Sequence, residues 1–533
     1  MAPAAAVLSA LLAAACAQQQ GENKPETHQP ITLEVCTKAG GCVAHEKLLT
    51  MDAQWRWLHD ARKNKYENCI SGTPPTWNTD ICDSGEACAK GCAIEGMNTQ
   101  EYGHTYGVKT VSGGVDLKFK SGESIGSRLY MLKDENSYEM FKLLGKEFTL
   151  EVDSSTLECG LNGAVYFVEM LEDGGKGEGG NAVGAGYGTG YCDAQCPHDM
   201  KFIKGEANFK GWHETDSGPE GHYGACCAEM DIWEANREAT AFTTHACTIE
   251  GPLRCEGTGD NTCGDTPADC KCCGEEDCSC CGRYKGVCDK DGCDYNHFRM
   301  GDEKYYGYGS EFTVDSSKPI TVVTQFLTNS AGDLSEIRRL YVQDEKVIKN
   351  SKVTNLDGFE GDSITDKMCL AQKETFDNPD DFSPKGHLAG MGKALARGMV
   401  LVLSLWDDMK TQMDWLDAAA PLDQPERFPL TKPGVKRGPC KPGSGDPHKL
   451  RARIPNAHVT YRNIRIGEIN STFTAKAEES VRKNNEKAGG GSSSSGGGSS
   501  SGGGSSGGGS SSGGGSSSGG GSSGGGSSSG GGS

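Results

Sequence analysis

The chain has 533 residues, including 77 glycines and 25 cysteines, and it carries a formal net charge of −20. A nucleic-acid-binding protein needs a positive face to neutralise phosphates, and no basic block of useful size is present, so this class is excluded. An acidic protein is compatible with an uncharged substrate such as a neutral polysaccharide, although charge informs solubility more than function.

The first seventeen residues are predicted to be a secretory signal peptide. Residues 1–17 contain leucines among alanines and end in Ala15-Cys16-Ala17. A short apolar segment before an A-x-A site is typical of such signals and is too short to span a bilayer. A lipoprotein anchor at Cys16 is the alternative, but Ala13 stands where a leucine would be expected. No later stretch is long and apolar enough for a membrane helix, so we expect an extracellular protein without a membrane partner.

Strand-like runs rich in valine, threonine and aromatic residues dominate the region 18–487, and clusters of Gly, Asp, Asn and Pro separate them. Short helices are predicted at 135–144 and 385–396. This pattern predicts an all-β fold, a β-sandwich or jelly roll whose long loops are stiffened by cysteines. Because no linker interrupts 18–487, we expect one domain there, although length alone would favour two. The clearest predicted strands are 148–152, 164–168, 320–326, 399–405 and 458–466.

Twenty-four of the 25 cysteines follow the predicted signal. An even, dense set in an exported protein predicts a disulfide framework. The clusters at 270–273 and 278–281 have spacings that would suit zinc thiolates in a reducing cell. Behind a signal peptide, disulfides are favoured over a metal site.

The chain ends in a segment, 489–533, that contains only glycine and serine. Such a segment cannot bury apolar surface, so we predict a disordered tail over 488–533. The tail inflates the glycine count, and whole-chain composition therefore gives no evidence of disorder in 18–487. Shortly before the tail, Asn470-Ser-Thr472 forms an N-glycosylation sequon.

Three acids lie close together among apolar residues in the run Glu229-Met-Asp231-Ile-Trp-Glu234. On a plain strand, Glu229 and Asp231 share a face because side chains repeat every two residues. Glu234 follows Glu229 by five positions, so strict alternation sends it to the opposite face. If all three acids converge, a β-bulge must lie between Asp231 and Glu234.

Paired carboxyl groups of this kind are the groups that glycoside hydrolysis needs. Retaining glycosidases use a nucleophile and an acid/base about 5–5.5 Å apart and pass through a glycosyl-enzyme intermediate. Asp231 is placed to hydrogen-bond Glu229 and to separate the two pKa values by like-charge coupling. The alternative is a solvated acidic strand face without a catalytic role, because the pattern E-x-D-x-x-E alone often matches by chance.

The residues around the acids resemble a known family. The segment Cys226-Cys-Ala-Glu-Met-Asp-Ile-Trp-Glu-Ala-Asn236 is closely similar to the signature of glycoside hydrolase family 7, the fungal-type cellobiohydrolases and endoglucanases. The resemblance runs from Gln18 to about Ser471. It implies a curved jelly roll of two packed sheets, whose long disulfide-pinned loops form a tunnel or cleft for one glucan chain. Four further motifs carry it: Asp52-Ala-Gln-Trp-Arg-Trp57, Cys159-Gly-Leu-Asn-Gly-Ala-Val-Tyr166, Gly188-Thr-Gly-Tyr-Cys-Asp-Ala-Gln-Cys-Pro197 and Ser404-Leu-Trp-Asp-Asp408.

The resemblance also implies catalytic roles for four residues. Glu229 matches the nucleophile of a retaining mechanism, Glu234 the acid/base and Asp231 an assisting carboxylate. His245, in Thr-Thr-His-Ala-Cys, matches the family's active-site histidine, whereas a lone histidine would more often be structural. This chemistry implies no metal and no organic cofactor.

Four of the seven tryptophans match positions that line the substrate path in the family: Trp55, Trp57, Trp406 and Trp415. Flat indole rings stack on pyranose faces, and the alternative for any one of them is core packing. Trp55 and Trp57 stand two apart, so on a strand they point the same way. The remaining three are assigned to the core: Trp77, Trp212 and Trp233.

Further sugar contacts are implied by the same resemblance. The central-site matches are Arg128, Asn162, Tyr166, Asp193 and Gln195, and the product-side matches are Arg283, Asp291 and Arg437. Two departures stand out. Ala194 lies where the family usually has a small hydroxyl, and the segment 254–281 replaces a short loop over the active site with a longer, cysteine-rich insertion.

The family pattern implies nine disulfides, and six cysteines of the insertion then remain, for which 15 pairings are open. The implied pairs are Cys36/Cys42, Cys69/Cys92, Cys82/Cys88, Cys159/Cys440, Cys192/Cys227, Cys196/Cys226, Cys247/Cys288, Cys293/Cys369 and one that starts at Cys255.

We therefore expect a secreted, monomeric cellulase whose partner is a cellulose or β-1,4-glucan chain. The four tryptophans and the long segment 421–437, as in tunnel-forming members, favour a processive cellobiohydrolase that releases cellobiose from reducing ends. An endo-β-1,4-glucanase with an open cleft is the alternative within the family. A non-catalytic jelly-roll carbohydrate-binding protein would share the fold, but the three acids and His245 argue against it.

Overall fold

The computed structural model describes residues 18–62, 64–216, 218–256, 263 and 283–473. The chain divides into two units, Met1–Glu478 and Glu479–Ser533, and every described residue lies in the first. The predicted signal peptide, the predicted tail and most of the insertion at 254–281 lie outside the described residues.

Strands make up most of the regular structure, as predicted. The long strands of the sandwich are β1 (Gln29–Thr37), β2 (Gly41–Met51), β3 (Ser127–Asp134), β4 (Lys146–Asp153), β5 (Leu161–Val168), β6 (Glu229–Ala235), β7 (Thr240–His245), β8 (Cys293–Asn296), β9 (Ile320–Thr328), β10 (Leu334–Gln343), β11 (Met399–Asp407) and β12 (His458–Glu468). Shorter strands are Gln19–Gln20, Leu58–Asp60, Ile70–Ser71, Thr76–Trp77, Cys92–Ile94, Val108–Val111, Gly114–Lys118, Lys120–Ser121, Ser124–Ile125, Ser137–Tyr138, Met140–Phe141, Phe202–Ile203, Glu206–Ala207, His213–Thr215, Gly218–Glu220, Tyr223–Cys226, Leu253–Glu256, Tyr306–Gly307, Val314–Asp315, Lys346–Lys349 and Ser363–Ile364. The helices are α1 (Gly85–Gly91), α2 (Thr99–His104), α3 (Asp366–Phe376), α4 (His387–Arg397), α5 (Asp414–Asp417) and α6 (Pro447–Arg453).

The long strands form two layers of an all-β sandwich. One layer has the antiparallel order β2-β3-β11-β5-β6-β7-β8. The other has the order β10-β9-β4-β12, with β1 parallel to β12 at its edge. The hairpin β1–β2 joins the layers, so the hydrogen-bonded ladder is continuous between them. Strand β6, which carries the three acids, therefore lies well inside the first layer.

A single large apolar cluster fills the space between the layers. Phe148 of β4 and Val322 of β9 belong to it, as do Phe167 of β5 and Met230 of β6, and all four are fully buried. Alternate residues of β5, such as Tyr166, belong to a second cluster on the other face of the same sheet. The first layer is thus covered on both faces, which explains why every residue of β5 is buried.

All five predicted strands and the helix predicted at 385–396 are confirmed. The helix predicted at 135–144 is wrong. The Asp134 side chain accepts hydrogen bonds from the Asn136 backbone (2.9 Å) and the Ser137 hydroxyl (2.7 Å), which turns the chain back on itself. Met140 then pairs with Val400 of β11. Sheet pairing outweighs the helical spacing of the apolar residues.

The eight complete disulfide pairs that the resemblance implies are confirmed. The ninth bridge joins Cys255 to Cys263. Its Cys255 sulfur lies 3.2 Å from the Cys226 sulfur, so this bridge packs directly on the Cys196–Cys226 bridge. The other six cysteines of the insertion lie outside the described residues.

The predicted sequon lies in a turn after β12. Asn470 is exposed, while the Thr472 hydroxyl is buried and donates to Glu147 Oε1 at 2.7 Å. Glu147 also accepts from the Asn470 and Ser471 backbones at 2.6 and 2.8 Å. Glycosylation of Asn470 stays a prediction. In the described part of the chain, no helix is long and apolar enough to cross a bilayer.

Candidate active site

A β-bulge lies on β6 at the position that the spacing of the acids predicts. Asp231 pairs with Thr243 of β7, and Glu234 pairs with Ala241, so three steps along β6 match two along β7. On the other side of β6, the ladder with β5 shifts at the same place. The extra residue in β6 resets the alternation of side chains, and this confirms the bulge.

The bulge separates the apolar and acidic residues of β6. Ile232 and Trp233 are consecutive, yet both are fully buried in the main core. Glu229, Asp231 and Glu234 lie on the other face, and at 8%, 5% and 9% exposure they are nearly shielded from water. Two adjacent residues on the core side are what a one-residue insertion produces.

Each of the two glutamates is held by a hydrogen bond from a neighbouring element. Glu229 Oε2 accepts from the Ala194 backbone N–H at 3.1 Å. Glu234 Oε1 accepts from Asn162 Nδ2 at 3.1 Å, and Asn162 Oδ1 in turn accepts from the Ala235 backbone at 3.0 Å. The donor at Ala194 is the main-chain N–H. The contact with Glu229 therefore does not need the side-chain hydroxyl that the family usually has at this position.

His245 pairs with the third acid. Its Nε2 lies 3.2 Å from Asp231 Oδ2, and its Nδ1 lies 2.8 Å from the carbonyl oxygen of Asp289. The carbonyl can only accept, so Nδ1 carries a proton. Burial lowers the pKa of His245, but the hydrogen bond and negative charge of Asp231 outweigh burial and raise this pKa to about 9. His245 is therefore a cation at neutral pH, ion-paired with Asp231.

Burial raises the pKa of Glu229 and that of Glu234 well above their usual range, and the charge of Asp231 raises both further. The Ala194 N–H opposes this effect at Glu229, and the His245 cation opposes it at Glu234. The cluster therefore keeps a proton at a pH where isolated carboxyl groups have lost theirs. That property is the one that a general acid needs.

Donor atoms of Glu229, Asp231 and His245 lie within 4.8 Å of one another, which is close enough to hold a metal ion. The imidazole nitrogen that would ligate an ion is already hydrogen-bonded to Asp231. A pKa of about 9 also means that a metal would have to displace a proton from His245. The geometry suits proton transfer better than metal binding.

Three of the predicted central-site residues are linked through Tyr191. The Arg128 guanidinium lies 3.3 Å from the centroid of the Tyr191 ring, and its Nε donates to Asp52 Oδ2 at 2.7 Å. The Tyr191 hydroxyl lies 3.0 Å from the Tyr166 hydroxyl and donates to Asp193 Oδ2 at 2.6 Å. Burial raises the pKa of Asp193. Tyr191 and Asp52 were not among the predicted site residues, although both lie in motifs that carry the resemblance.

Three other predicted contacts form a second group around the Lys290 carbonyl. Gln195 Nε2 and Arg283 Nη2 donate to this carbonyl at 2.7 and 2.8 Å, and Arg283 Nε lies 2.6 Å from Asp291 Oδ1. Arg437, also predicted here, instead forms an ion pair with Asp294 at 3.5 Å. Burial lowers the pKa of Arg437 to about 9, and nearby Arg299 adds to the effect.

Trp406 and Trp415 form a stacked pair, with ring centroids 6.3 Å apart and ring planes inclined by 28°. Both are half-buried. Trp406 pairs in the ladder with Asn162, whose side chain holds Glu234. Trp415 Nε1 donates to Asp408 Oδ2 at 3.1 Å. The aromatic pair therefore lies beside the acids.

Trp55 and Trp57 do not lie on a strand, so the argument that they point the same way is wrong. Trp55 ends a 3-10 turn at Ala53–Trp55. Its ring lies 5.5 Å from the Arg128 guanidinium, which places it next to the central contacts. Trp57 stacks on Tyr66, with centroids 5.7 Å apart. The two tryptophans therefore have different neighbours.

Of the tryptophans assigned to the core, Trp77 and Trp233 are buried as predicted. Trp212 is half-buried and packs at the edge of the apolar cluster that contains Trp77, so the third assignment holds in part. It packs edge-on against Trp77 at 5.8 Å, and together with Trp57 it lines an open groove of about 480 Å³. Spacing along the sequence did not reveal this groove because its walls come from separate loops.

Buried acids with raised pKa values, held beside a stacked tryptophan pair on a β-sandwich, are the features that glycoside hydrolysis requires. The chain belongs to glycosyl hydrolase family 7, whose family model matches residues 20–473.

Solved structures of this family are similar over almost all of the described chain. A family 7 cellobiohydrolase from Daphnia pulex is 43% identical, with a TM-score of 0.78, over 86% of this chain and 100% of that one. A cellobiohydrolase from Melanocarpus albomyces complexed with cellotetraose is 38% identical, with a TM-score of 0.76, over 86% and 100%. The endocellulase EGI from Humicola insolens is 36% identical, with a TM-score of 0.70, over 85% and 100%.

Proposed function

We propose that this chain is a secreted retaining β-1,4-glucan hydrolase that degrades cellulose, acting as a processive cellobiohydrolase that releases cellobiose from reducing ends. The observation that carries this proposal is the bulge on β6, which gathers Glu229, Asp231 and Glu234 on one face beside Trp406. The proposed mechanism uses no cofactor.

In the first step, the ionised Glu229 attacks the anomeric carbon while Glu234 protonates the glycosidic oxygen, which leaves as a hydroxyl group of the reducing-end cellobiose. The N–H of Ala194 orients Glu229, and Asn162 orients Glu234. The raised pKa of Glu234 keeps its proton available for transfer. Asp231, paired with the His245 cation, adds negative charge that favours this protonated form.

In the second step, the ionised Glu234 removes a proton from a water molecule. The resulting hydroxide attacks the anomeric carbon of the glycosyl-Glu229 intermediate, releases the shortened glucan chain with retained configuration and frees the Glu229 carboxylate. Both residues then return to their starting protonation states.

Two observations support the exo mode over an endo-β-1,4-glucanase. The cellobiohydrolase from Daphnia pulex is more similar to this chain than the Humicola insolens endocellulase is, at 43% against 36% identity. The four half-buried tryptophans also offer several stacking positions for one chain. Trp55, Trp57, Arg128 and Asp193 would hold the chain before the acids, and Arg283, Asp291 and Arg437 the product.

A product analysis tests the proposal. We expect cellobiose as the main product from crystalline cellulose, and little loss of viscosity in a soluble cellulose derivative. Rapid viscosity loss would assign the endo mode instead. A protein that binds cellulose but releases no sugar, with the wild type and Glu229→Gln equally inactive, would be a carbohydrate-binding protein.

We also propose that residues 1–17 are removed during export, that the catalytic domain is 18–487 and that the secreted enzyme is a monomer. Amino-terminal sequencing of the secreted protein should begin at Gln18. The Thr472→Ala variant should remove any glycan from Asn470, which the intact mass would report.

A further inference from the structure

The bulge that organises the acids leaves one residue of β6 outside the sheet pairing. Ile232 has no partner in the register with β5 or in the register with β7. The residue is fully buried, so an unpaired carbonyl oxygen there would be costly. Nη2 of Arg339 donates a hydrogen bond to this carbonyl. The Ile232 carbonyl, which the bulge leaves without a strand partner, therefore accepts its hydrogen bond from a side chain.

Arg339 reaches the bulge from the opposite layer of the sandwich. It lies on β10 and is fully buried, and its guanidinium carbon lies 4.3 Å from the centroid of the Phe242 ring. Phe242 stands on β7 between Ala241 and Thr243, the residues that flank the register shift. One guanidinium therefore contacts both strands at the point where their registers diverge.

A buried cation is energetically unfavourable at this position. Nε and Nη1 of Arg339 have no hydrogen-bond partner among the residues that the structure describes. Removing a charge from water without a carboxylate partner is unfavourable, and an apolar side chain of similar volume would suit the core at lower cost. Contacts of the guanidinium with the rings of Phe242 and Tyr341 offset only part of this cost, so the hydrogen bond to the bulge is a second reason for an arginine here.

We propose that Arg339 is a positioning residue that holds the β6 bulge in register and thereby aims Glu234 toward Glu229 and Asp231. Without a donor for the Ile232 carbonyl, a strand in which Ile232 pairs regularly becomes more stable than the bulged strand. Regular pairing restores strict alternation and turns Glu234 toward the other face. The inference rests on the proposed catalytic roles of the two glutamates.

The test compares substitutions of Arg339 with a core control on the same strand. Arg339→Met keeps the volume and removes the donor, and Arg339→Lys keeps the charge without the planar guanidinium. Ile337→Ala removes a fully buried side chain from the same face of β10, two residues before Arg339. All are assayed on an aryl β-cellobioside, well below the Tm of each protein.

We expect kcat of Arg339→Met to fall about 100-fold, because a small displacement of a catalytic group has an effect of this size. KM should change by less than about threefold, since the sugar contacts remain. The basic limb of the kcat pH profile should move by roughly half a pH unit or more. A displaced Glu234 no longer lies beside Glu229 and Asp231, so its pKa changes. Arg339→Lys should lose about tenfold in kcat and retain more activity than Arg339→Met.

Ile337→Ala should lower Tm while kcat and the pH profile stay at wild-type values. If Arg339→Met and Arg339→Lys keep wild-type kcat, or if Ile337→Ala loses as much kcat, the proposal is overturned. Should Arg339→Met fail to fold, Arg339→Lys decides alone, and wild-type kcat in that variant overturns the proposal.

A crystal structure of Arg339→Met separates this inference from the proposed function. We expect the pairs Asp231–Thr243 and Glu234–Ala241 to be lost, and their retention with Glu234 unmoved would overturn the inference. A wild-type protein without hydrolytic activity would instead refute the proposed function, and the crystal structure would still decide the role of Arg339.

Discussion

His245 Nε2 lies 3.2 Å from Asp231 Oδ2, across the two strands that frame the bulge. The pair is almost fully shielded from water, so its charges interact more strongly than a surface pair would. Because the pKa of His245 is raised to about 9, this ion pair persists through neutral pH. Asp231 places its negative charge beside Glu234. The His245 cation balances that charge, so the pair adds no net charge to the site.

The His245 cation should make folding stability depend on pH. Its pKa is higher in the folded state than the ordinary 6.5, so its contribution is complete below about pH 6.5 and is lost as pH rises through about 9. We expect the Tm of the wild type to fall between pH 6.5 and 9 more steeply than that of His245→Asn. Calorimetry at several pH values measures this difference, and parallel curves for the two proteins would contradict it.

Neutralising Glu234 should stabilise the fold while it abolishes activity. The raised pKa of Glu234 means that its ionised form is less favourable in the folded state, a cost that is absent at low pH and grows as pH rises through the folded-state pKa. We expect Glu234→Gln to gain about 1 kcal/mol in the free energy of unfolding at pH 7. Activity should fall roughly 10³-fold or more.

Denaturant titration at pH 7 and pH 4 checks the stability of Glu234→Gln. The gain should shrink at pH 4, where the wild-type carboxyl group is also protonated. Glu238→Gln is a suitable control, because Glu238 is a partly exposed carboxylate close to Glu234 in the sequence. An equal gain in the control would rule out the explanation from burial.

Asn162 should affect kcat more than KM. Its amide donates to Glu234 and favours the ionised form, so Asn162→Ala should raise the pKa of Glu234 further and loosen its side chain. We expect kcat to fall about 10- to 100-fold and the basic limb of the pH profile to move upward. A rise in KM alone, with kcat unchanged, would show that Asn162 only contacts sugar.

Trp406 should contribute mainly to binding of the glucan chain. Trp406→Ala removes a half-buried ring and its stacking on Trp415, so we expect KM for a long soluble oligosaccharide to rise about tenfold. The Tm should fall modestly, because the ring also packs against a small buried apolar cluster. Leu370→Ala, which removes an exposed apolar side chain on helix α3, serves as the control and should leave KM unchanged. Equal KM values for the two variants would exclude stacking at Trp406.

Several features of the site were predictable because they depend on local spacing. A separation of five positions from Glu229 to Glu234 is incompatible with one face of a plain strand, and this parity predicted the bulge before the fold was known. The motif residues Asn162 and Tyr166 also fell beside the site, since adjacent strands place them there. In contrast, the helix predicted at 135–144 failed because the turn at Asp134 and the pairing of Met140 with Val400 are not encoded in apolar spacing.

The sequence by itself determined the strands, the order of the cysteines and the requirement for a bulge after Asp231, because alternation and residue type act over a few positions. Only the tertiary structure decided what holds the bulge and the acids. The N–H of Ala194, the amide of Asn162 and the guanidinium of Arg339 come from three distant parts of the chain. A buried polar group must find its partner wherever the packed layers bring one, and no local pattern specifies that partner.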